Sequence, residues 1–248
     1  MQSLKGQNVV VVGGSRGVGR SIVEAALGEG ATVLAVARGA TDLKELSWEA
    51  SGVKTLAADA TRDDAPDAVF AAMQPDVLVV SAGAFAPSAS IQDQSWDDFS
   101  ANWETDVKAS FLFCKAALHG ALKPGSRVVL ISSGAAFSGG PPNSGGYSGA
   151  KRMQMFLAAH SQKEADRLGL GLRFMALVPM RIMAGTGVGQ GGIDGISAYL
   201  GISPADFLAS MTDVQTPADV GRAVVTLAGG KLQGVAFTVS GSGLAAAA

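Results

Sequence analysis

The sequence has few of the side chains that build disulfides and metal sites. Its 248 residues include one cysteine, Cys114, which cannot form a disulfide within the chain. The neighbours of Cys114 are apolar, and we expect a small buried side chain there. The two histidines, His119 and His160, lie far apart without a partnering motif, so no metal site is predicted.

Long apolar runs and an excess of charge are also missing. No stretch of about 18 apolar residues occurs, as a membrane-spanning helix would require. Residues Met1 to Gly6 lack the apolar core of a secretion signal, and we expect a cytoplasmic location. The net charge is −2 without a basic patch, so neither nucleic acid nor a membrane surface is an expected partner.

Apolar residues, by contrast, are abundant. They make up 48% of the chain, which is enough to bury a large core, and the 33 glycines fall at turns rather than in repeats. No low-complexity linker divides the sequence. We therefore predict a single domain over residues 1–248.

Seven apolar, valine-rich segments alternate with helical patterns. The predicted strands are Asn8 to Val12, Thr32 to Val36, Val53 to Ala57, Val77 to Val80, Arg127 to Ile131, Gly171 to Leu177 and Val235 to Val239. The predicted helices are Gly17 to Glu29, a brief one at Thr41 to Leu46, Asp63 to Met73, Trp96 to Leu122 and Tyr147 to Leu168. This alternation predicts an α/β fold, with a doubly wound parallel sheet of about seven strands and helices on both faces.

A glycine-rich turn follows the first strand directly. Gly13-Gly14-Ser15-Arg16-Gly17-Val18-Gly19 leads into the first helix. Glycines let the backbone approach a pyrophosphate, and the amides at the helix start favour an anion. The other interpretation is an ordinary tight turn from strand to helix.

Tyr147 and Lys151 lie four residues apart, so in a helix they share one face. The positive charge of Lys151 can then favour the phenolate form of Tyr147, which makes the phenol a usable acid near neutral pH. Ser132 and Ser133 end the apolar run Val128 to Ile131 and precede a loop to Tyr147. The alternative is a half-buried tyrosine beside a solvated lysine.

Together these features resemble the short-chain dehydrogenase/reductase family over nearly the whole chain. The glycine turn is similar to the family's TGxxxGxG motif, with Val12 where threonine is usual. The other matching positions are Asp59 after the third strand, Val80 to Gly83 in place of NNAG, Ser133 as the catalytic serine, and Tyr147 and Lys151 as YxxxK. The resemblance implies a Rossmann-type fold and a homo-oligomer, either a dimer or a tetramer.

The resemblance also implies roles for individual residues. Tyr147 would donate a proton to a carbonyl, Lys151 would lower the phenol pKa and bind the nicotinamide ribose, and Ser133 would orient the carbonyl, with Ser132 as the fallback. Asp59 would bind the adenine amine or simply cap the turn before Thr61. The expected cofactor contacts are Gly13, Ser15, Arg16, Gly17, Val18, Gly19, Arg38, Asp59, Ala60, Ser81, Ala82, Gly83, Tyr147, Lys151, Pro179 and Ile182.

Charge at the end of the second strand bears on which cofactor is used. Ala37 stands where an acidic residue would bind the ribose of NAD, and Arg38 follows it. With Arg16 in the glycine turn, two guanidinium groups favour the 2′-phosphate of NADP(H) over NAD(H). Both arginines could instead be ordinary surface residues.

Three departures from the family pattern affect the predicted site. Asp106 stands where asparagine is usual, either as a site residue that raises the Lys151 pKa or as a helix-surface carboxylate. Val80 and Ser81 replace two asparagines, and Met180 replaces the glycine after Pro179. These changes keep open a catalytically weak nucleotide-binding regulatory protein, or an epimerase or dehydratase, beside a carbonyl reductase.

Residues 180–212 occupy the family's substrate-lid region. The glycines of Gly185 to Gly192 predict a mobile lid, or else a disordered surface loop. The expected pocket wall is largely apolar, which suggests a neutral, medium-sized carbonyl or alcohol substrate. It comprises Phe85, Ala135, Phe137, Met180, Met183 and Ile193 to Leu200.

Overall fold

The computed structural model describes residues 3–49, 52–85, 88–137, 139–230 and 232–247. They form an α/β fold around a single eight-stranded sheet. The predicted domain limits, residues 1 and 248, lie outside the described residues. In the described part of the chain, no helix is both long enough and apolar enough to span a membrane.

Seven strands are parallel and one is antiparallel. The strands are β1 (Asn8–Val12), β2 (Thr32–Ala37), β3 (Lys54–Ala57), β4 (Val77–Val80), β5 (Arg127–Ile131), β6 (Arg173–Pro179), β7 (Ala236–Ser240) and β8 (Gly243–Ala246). The seven predicted strands are confirmed. The prediction missed β8, which pairs antiparallel with β7 through a tight turn, with Ser240 opposite Gly243.

The helices connect successive strands. They are α1 (Gly17–Gly28), α2 (Ala40–Glu49), α3 (Ala65–Ala72), α4 (Trp96–Asn102), α5 (Lys108–Ala116), α6 (Gly145–Arg167), α7 (Gly187–Leu200), α8 (Pro204–Ser210) and α9 (Pro217–Ala228). Helix α2 has ten residues, so the expectation of a brief helix at Thr41 to Leu46 was too short.

The predicted long helix from Trp96 to Leu122 is not a uniform α-helix. Two π-helical turns interrupt it, Trp103–Val107 between α4 and α5, and Ala117–Ala121 after α5. Gly120 has a φ of 85° and ends the helical path. A π-turn widens the helix locally and re-aims its side chains, and Asp106 lies in the first of these turns.

The glycine-rich segment after β6 is also regular. The alternative of a disordered surface loop over Gly185 to Gly192 is wrong, because α7 begins at Gly187 with Thr186 as its N-cap. The Thr186 hydroxyl accepts a hydrogen bond from the Gly189 amide at 3.0 Å. Whether this helix moves over a bound substrate stays a prediction.

Two hydrophobic cores lie on opposite faces of the sheet. Alternate residues of β1 point into opposite cores. Val9 and Val11 lie in the first core, and Val10 and Val12 lie in the second. Helices α1, α2 and α9 cover the first face, and α3, α5 and α6 cover the second. Burial on both faces explains why the central strands β1, β4 and β5 are continuous apolar runs rather than alternating ones. Cys114 lies in the second core as expected, and burial raises the pKa of its thiol to about 12.

The strand order is β3-β2-β1-β4-β5-β6-β7-β8. The chain runs outward from β1 to β3, returns to place β4 beside β1, and then runs outward the other way. The direction of winding therefore changes between β1 and β4. In open α/β sheets, ligands bind at such a switch point, beyond the carboxyl ends of the strands.

Candidate active site

A cleft of about 780 Å³ lies at the carboxyl ends of the strands. Residues from β1, β2, β4, β5 and β6, with the turns that follow them, form its walls. All the predicted site residues line it: Gly13, Ser15, Arg16, Gly17, Val18, Gly19, Arg38, Asp59, Ala60, Ser81, Ala82, Gly83, Asp106, Ser133, Tyr147, Lys151, Pro179 and Ile182. The fold thus brings together segments that lie far apart in the sequence.

The turn between β1 and α1 requires glycine at two positions. Gly13 has a φ of 85°, and a Cβ on it would lie 2.5 Å from the Ala82 amide nitrogen. A Cβ on Gly19 would collide with the Gly13 carbonyl oxygen. The turn therefore packs directly against the loop that follows β4, and side chains there would prevent the close approach.

The start of α1 is open to an anion. Its N-cap, Arg16, makes no capping hydrogen bond through its side chain, and no acidic residue lies in the first turn. The first amide groups of a helix have no partner within the helix. An anion in the cleft would meet these amides and the positive end of the helix dipole.

Charged side chains surround the part of the cleft next to β2. Arg38 follows β2 and is exposed, while Arg16 lies with its guanidinium carbon 5.0 Å from the Phe85 ring centroid. Asp42, in the first turn of α2, also lines the cleft, and its carboxylate lies close to Gly39. Asp42 was not among the predicted site residues, although an acidic residue in a first helical turn just after Arg38 was a visible signal.

Asp59 caps the turn that follows it. One of its oxygens, Oδ1, accepts hydrogen bonds from the Thr61 amide at 3.0 Å and from the Thr61 hydroxyl at 2.8 Å. These bonds, the backbone one first, hold the pKa of the Asp59 carboxyl below its ordinary value. Asp59 therefore caps the turn through Oδ1, Oδ2 makes none of these bonds, and the contact with the adenine amine stays a prediction.

Tyr147 and Lys151 occupy the first turns of α6. Tyr147 is partly exposed in the cleft, and the Lys151 Nζ lies 5.6 Å from the centroid of its ring. Lys151 is buried, so the alternative of a solvated lysine is wrong. A positive charge beside a phenol favours the phenolate.

Asp106 pairs with Lys151. Its Oδ2 lies 2.9 Å from the Lys151 Nζ, and the two side chains are only 1% and 8% exposed. The alternative of a helix-surface carboxylate was therefore wrong. Burial by itself would lower the pKa of Lys151, but the charges of Asp106 and Tyr147 and the hydrogen bond to Asp106 outweigh it, and the pKa lies above its ordinary value.

The other oxygen of Asp106 holds the loop after β4. Oδ1 accepts hydrogen bonds from the Ala84 amide at 2.9 Å and from the Asn102 side chain at 3.3 Å. A Cβ on Gly83 would lie 2.9 Å from Oδ2, so the loop passes in contact with the carboxylate. Asp106 therefore connects the loop of β4 to the lysine of α6.

The two serines after β5 have different surroundings. Ser132 is buried, and its hydroxyl donates to the Lys151 carbonyl oxygen at 2.8 Å. Ser133 is partly exposed in the cleft, and its oxygen accepts from the Ala135 amide at 3.2 Å. The Ser133 hydroxyl only accepts a hydrogen bond, so its proton can be donated to a ligand. The Ser132 hydroxyl proton is already donated to the Lys151 carbonyl oxygen.

The lining of the cleft agrees only in part with the predicted pocket wall. Phe85, Ala135, Met180 and Met183 line the cleft, but of Ile193 to Leu200 only Ile196 does, and Phe137 does not. Polar residues that were missed also line it: Ser88, Asn143 and Ser144. The visible signal was the sequence Pro141-Pro142-Asn143-Ser144, a composition typical of turns.

Comparison with known proteins decides the family. The model of the family described as short chain dehydrogenase matches residues 7–188. The chain belongs to the short-chain dehydrogenase family. This match spans the glycine turn, the loop after β4, Ser133 and the Tyr147–Lys151 pair.

Curated relatives are reductases and dehydrogenases by name. L-xylulose reductase of Bos taurus is 31% identical over 46% of this chain and 49% of its own length. The 2-keto-3-deoxy-L-fuconate dehydrogenase of Xanthomonas campestris is 30% identical over 71% of this chain and 58% of its own length. D-erythrulose reductase of Gallus gallus is 36% identical over 34% of each chain. The chain thus spans about a third to three-fifths of the length of these relatives.

Family membership implies a nicotinamide dinucleotide as the cofactor. The cleft fits such a group, because glycine is required where the turn after β1 meets the loop after β4, and because the uncapped start of α1 can receive a pyrophosphate. A cavity of about 780 Å³ is in the range that holds a large organic ligand.

Proposed function

We propose that this short-chain dehydrogenase is an NADP(H)-dependent oxidoreductase that reduces a carbonyl compound or oxidises a secondary alcohol. One observation carries the proposal: the buried Lys151 ammonium lies 5.6 Å from the Tyr147 ring centroid, in the same cleft as the glycine turn. A purely nucleotide-binding protein would have no use for a phenol beside a buried cation.

Two side chains act on the substrate oxygen in this mechanism, and a third acts on Tyr147. Tyr147 donates its phenolic proton to the carbonyl oxygen, and Ser133 donates a second hydrogen bond that holds this oxygen in place. Lys151 stabilises the phenolate left after the proton transfer, because its positive charge lies close to the ring. In alcohol oxidation the same groups act in reverse, and Tyr147 accepts the proton.

The cofactor supplies or accepts the hydride when it is bound. The turn Gly13 to Gly19 and the loop Ser81 to Gly83 would hold its pyrophosphate region, and Asp59 and Ala60 its adenine. Pro179 and Ile182, at the end of β6, would hold its nicotinamide. Arg16 and Arg38 would bind a 2′-phosphate, since guanidinium groups can form paired bonds with phosphate oxygens.

The substrate class follows from the residues beyond Tyr147. Phe85, Met180 and Met183 provide apolar contacts, whereas Ser88, Asn143 and Ser144 can form hydrogen bonds. The names of two relatives, L-xylulose reductase and D-erythrulose reductase, refer to small ketones with several hydroxyl groups. We therefore propose a small neutral carbonyl compound and would include polyhydroxy ketones among the first substrates tested.

Titration of NADPH and NADH against the purified protein, by fluorescence or calorimetry, tests the proposal without a known substrate. Tighter binding of NADPH supports the role of the two arginines, and tighter binding of NADH overturns the cofactor preference. Binding of neither would contradict the proposal, since the glycine turn would then not hold the cofactor. A cofactor that stays bound without net consumption during turnover would indicate epimerisation or dehydration.

An arginine variant separates phosphate recognition from general binding. Arg38→Ala should weaken NADPH binding about 10-fold or more, because a hydrogen bond to a charged group contributes about 1.5–3 kcal/mol. NADH binding should stay unchanged. Arg167→Ala is the matched control, since Arg167 is an exposed arginine of α6 that pairs with Glu164 and does not line the cleft. Equal loss of both cofactors would contradict phosphate recognition by Arg38.

A further inference from the structure

The Lys151 ammonium is surrounded by three acceptors. Its Nζ lies 2.9 Å from Asp106 Oδ2, donates to the Gln154 Oε1 at 3.0 Å and donates to the Ile131 carbonyl oxygen at 3.2 Å. An ammonium group has three N–H bonds. In this arrangement each of them has an acceptor in the protein, so the ammonium acts on Tyr147 through its charge.

Gln154 is an unusual member of this set because it is a fully buried amide on the core side of α6. It is 0% exposed and follows Lys151 by three residues, on the same helix face. The face of a helix that packs on a sheet normally carries apolar side chains. A buried amide costs free energy unless all its polar atoms are bonded.

The surroundings of Gln154 determine which way its amide points. Its Nε2 donates to the Ser110 hydroxyl at 2.9 Å and to the Asp106 carbonyl oxygen at 3.4 Å. Ser110 is itself buried, and its hydroxyl donates to the same carbonyl at 2.8 Å. With its nitrogen held by acceptors on the π-turn and α5, the amide must present its oxygen to Lys151.

We propose that Gln154 is a positioning residue that, with Asp106, keeps the Lys151 ammonium in place beside Tyr147, where its positive charge acts on the phenol. This inference rests on the proposed function, in which Tyr147 is the proton donor. Gln154 itself touches neither Tyr147 nor the substrate and acts through Lys151. It also lies outside the residues that line the cleft.

The composition of the chain allows a direct measurement. It contains two tyrosines, Tyr147 and Tyr199, and Tyr199 is an exposed residue of α7. In a Tyr199→Phe background, the ultraviolet absorbance of phenolate as a function of pH reports on Tyr147 alone. This titration uses the protein without cofactor or substrate, so it does not depend on turnover.

Removing the amide should move the titration to higher pH. In Gln154→Leu the Lys151 ammonium loses the amide oxygen and moves closer to the Asp106 carboxylate. Its positive charge then stabilises the Tyr147 phenolate less. The midpoint should rise by about half a pH unit. Gln162→Leu is the matched control, because Gln162 is another buried glutamine of α6 with hydrogen bonds to Leu172 and Phe174, far from Lys151. It should reduce stability without moving the midpoint.

A charge exchange tests the same arrangement without a change in side-chain volume. Gln154→Glu adds a second carboxylate beside Lys151 and should raise the midpoint by about one pH unit. The double variant Asp106→Asn with Gln154→Glu restores one cation, one carboxylate and one amide. Its midpoint should return toward that of the parent protein.

The outcomes separate this inference from the proposed function. If Gln154→Leu and Gln154→Glu both leave the midpoint where it is and only lower stability, as Gln162→Leu does, then Gln154 is a packing residue and the inference is overturned. If Gln154→Leu does not fold, the glutamate and double variants decide the question alone. If the midpoints shift as expected but the parent protein shows no NADPH binding or no turnover, the proposed function is refuted instead.

Discussion

Tyr147 and Lys151 lie one helical turn apart, but in different surroundings. Tyr147 faces the cleft, whereas Lys151 is buried among hydrogen-bond acceptors. Charges interact more strongly where water is excluded, so the ammonium acts on the phenol more effectively than a surface lysine would. The spacing in the sequence was sufficient to predict that the pair shares a face. The sequence also allowed the pairing of Asp106 with Lys151, which is confirmed. It could not show that Gln154 would be a second partner, because the Gln154 amide is oriented by Asp106 and Ser110 on other elements.

Removal of the phenolic hydroxyl is the direct test of the proton donor. Tyr147→Phe keeps the ring and the packing but has no proton to give, and general acid catalysis contributes about 10²–10⁴-fold. We expect turnover to fall at least about 100-fold while NADPH binding stays close to that of the parent protein. Steady-state kinetics and a cofactor titration on the same preparation measure both. Retention of more than about a tenth of the rate would rule out Tyr147 as the acid.

The Asp106–Lys151 pair should leave a signature in the pH dependence of stability. The folded-state pKa of Lys151 is raised above 10.5, so its stabilising contribution is present below the unfolded pKa and is lost as the pH rises through the folded value. Asp106→Asn removes the carboxylate and with it much of that contribution. We expect a loss of about 2 kcal/mol at pH 7 and a flatter decline of stability in the alkaline range.

Urea unfolding of both proteins at neutral and alkaline pH measures this difference. The remaining lysines titrate in both proteins, and their effect cancels in the comparison. A loss of stability of the same size at every pH would mean that Asp106 acts through its bonds to Ala84 and Asn102 rather than through its charge.

At the scale of elements, helix α7 shows why glycines cannot be interpreted by composition alone. The run Gly185 to Gly192 suggested a loop, yet several of these glycines permit close packing. A Cβ on Gly187 would lie 2.5 Å from the Phe85 ring, and one on Gly189 would collide with the Met183 carbonyl oxygen. Gly191 meets nothing within 4 Å. The sequence presents these positions as equivalent, and only the tertiary contacts distinguish them.

Two alanine substitutions in α7 should therefore have opposite effects. Gly191→Ala fills open space in a helix and should raise the free energy of unfolding by about 0.5–1 kcal/mol, because alanine loses less conformational entropy. Gly189→Ala should lower it, since the methyl group meets backbone that supports the N-cap. Thermal or urea denaturation measures both. If both variants are stabilised, the start of α7 is looser than the contacts around Gly189 indicate.

There are physical reasons why the sequence did not predict some of the elements. Strands β1, β2, β4 and β5 are buried valine-rich runs and were easily found, whereas β3 is short and largely exposed. Strand β8, Gly243–Ala246, has no β-branched residue and forms only because β7 offers it a free edge. The π-turn at Trp103–Val107 likewise has no signature of its own. It follows from contacts between α4, α5 and α6 that no local pattern encodes.

For the whole molecule, the change of winding direction between β1 and β4 creates the cleft. It brings the glycine turn, the loop after β4 and the start of α6 to one edge of the sheet. The order of the motifs predicted this arrangement, because strand, turn and helix recur in a doubly wound fold. The substrate end was predicted less well, since Ser88, Asn143 and Ser144 lie in connections whose path depends on tertiary packing.

Because the cleft is formed by segments from much of the chain, a ligand there should stabilise the fold globally. At a concentration about 100 times its dissociation constant, NADPH should add about 2.7 kcal/mol to the free energy of unfolding. For a chain of this length that corresponds to a rise of about 5–10 °C in Tm. NADH at the same concentration should raise Tm less. Thermal denaturation with each cofactor measures the difference, and equal shifts would contradict a preference for NADP(H).

The contact between Gly83 and Asp106 links two positions that are distant in the sequence. A Cβ at residue 83 would lie 2.9 Å from Oδ2, the same oxygen that pairs with Lys151. A larger residue at 83 would therefore push the carboxylate away from the ammonium. In a library that randomises both positions, side chains at 83 should survive selection only together with a smaller residue at 106. Residues 83 and 106 would then evolve together, because a substitution at one position would change which residues are tolerated at the other.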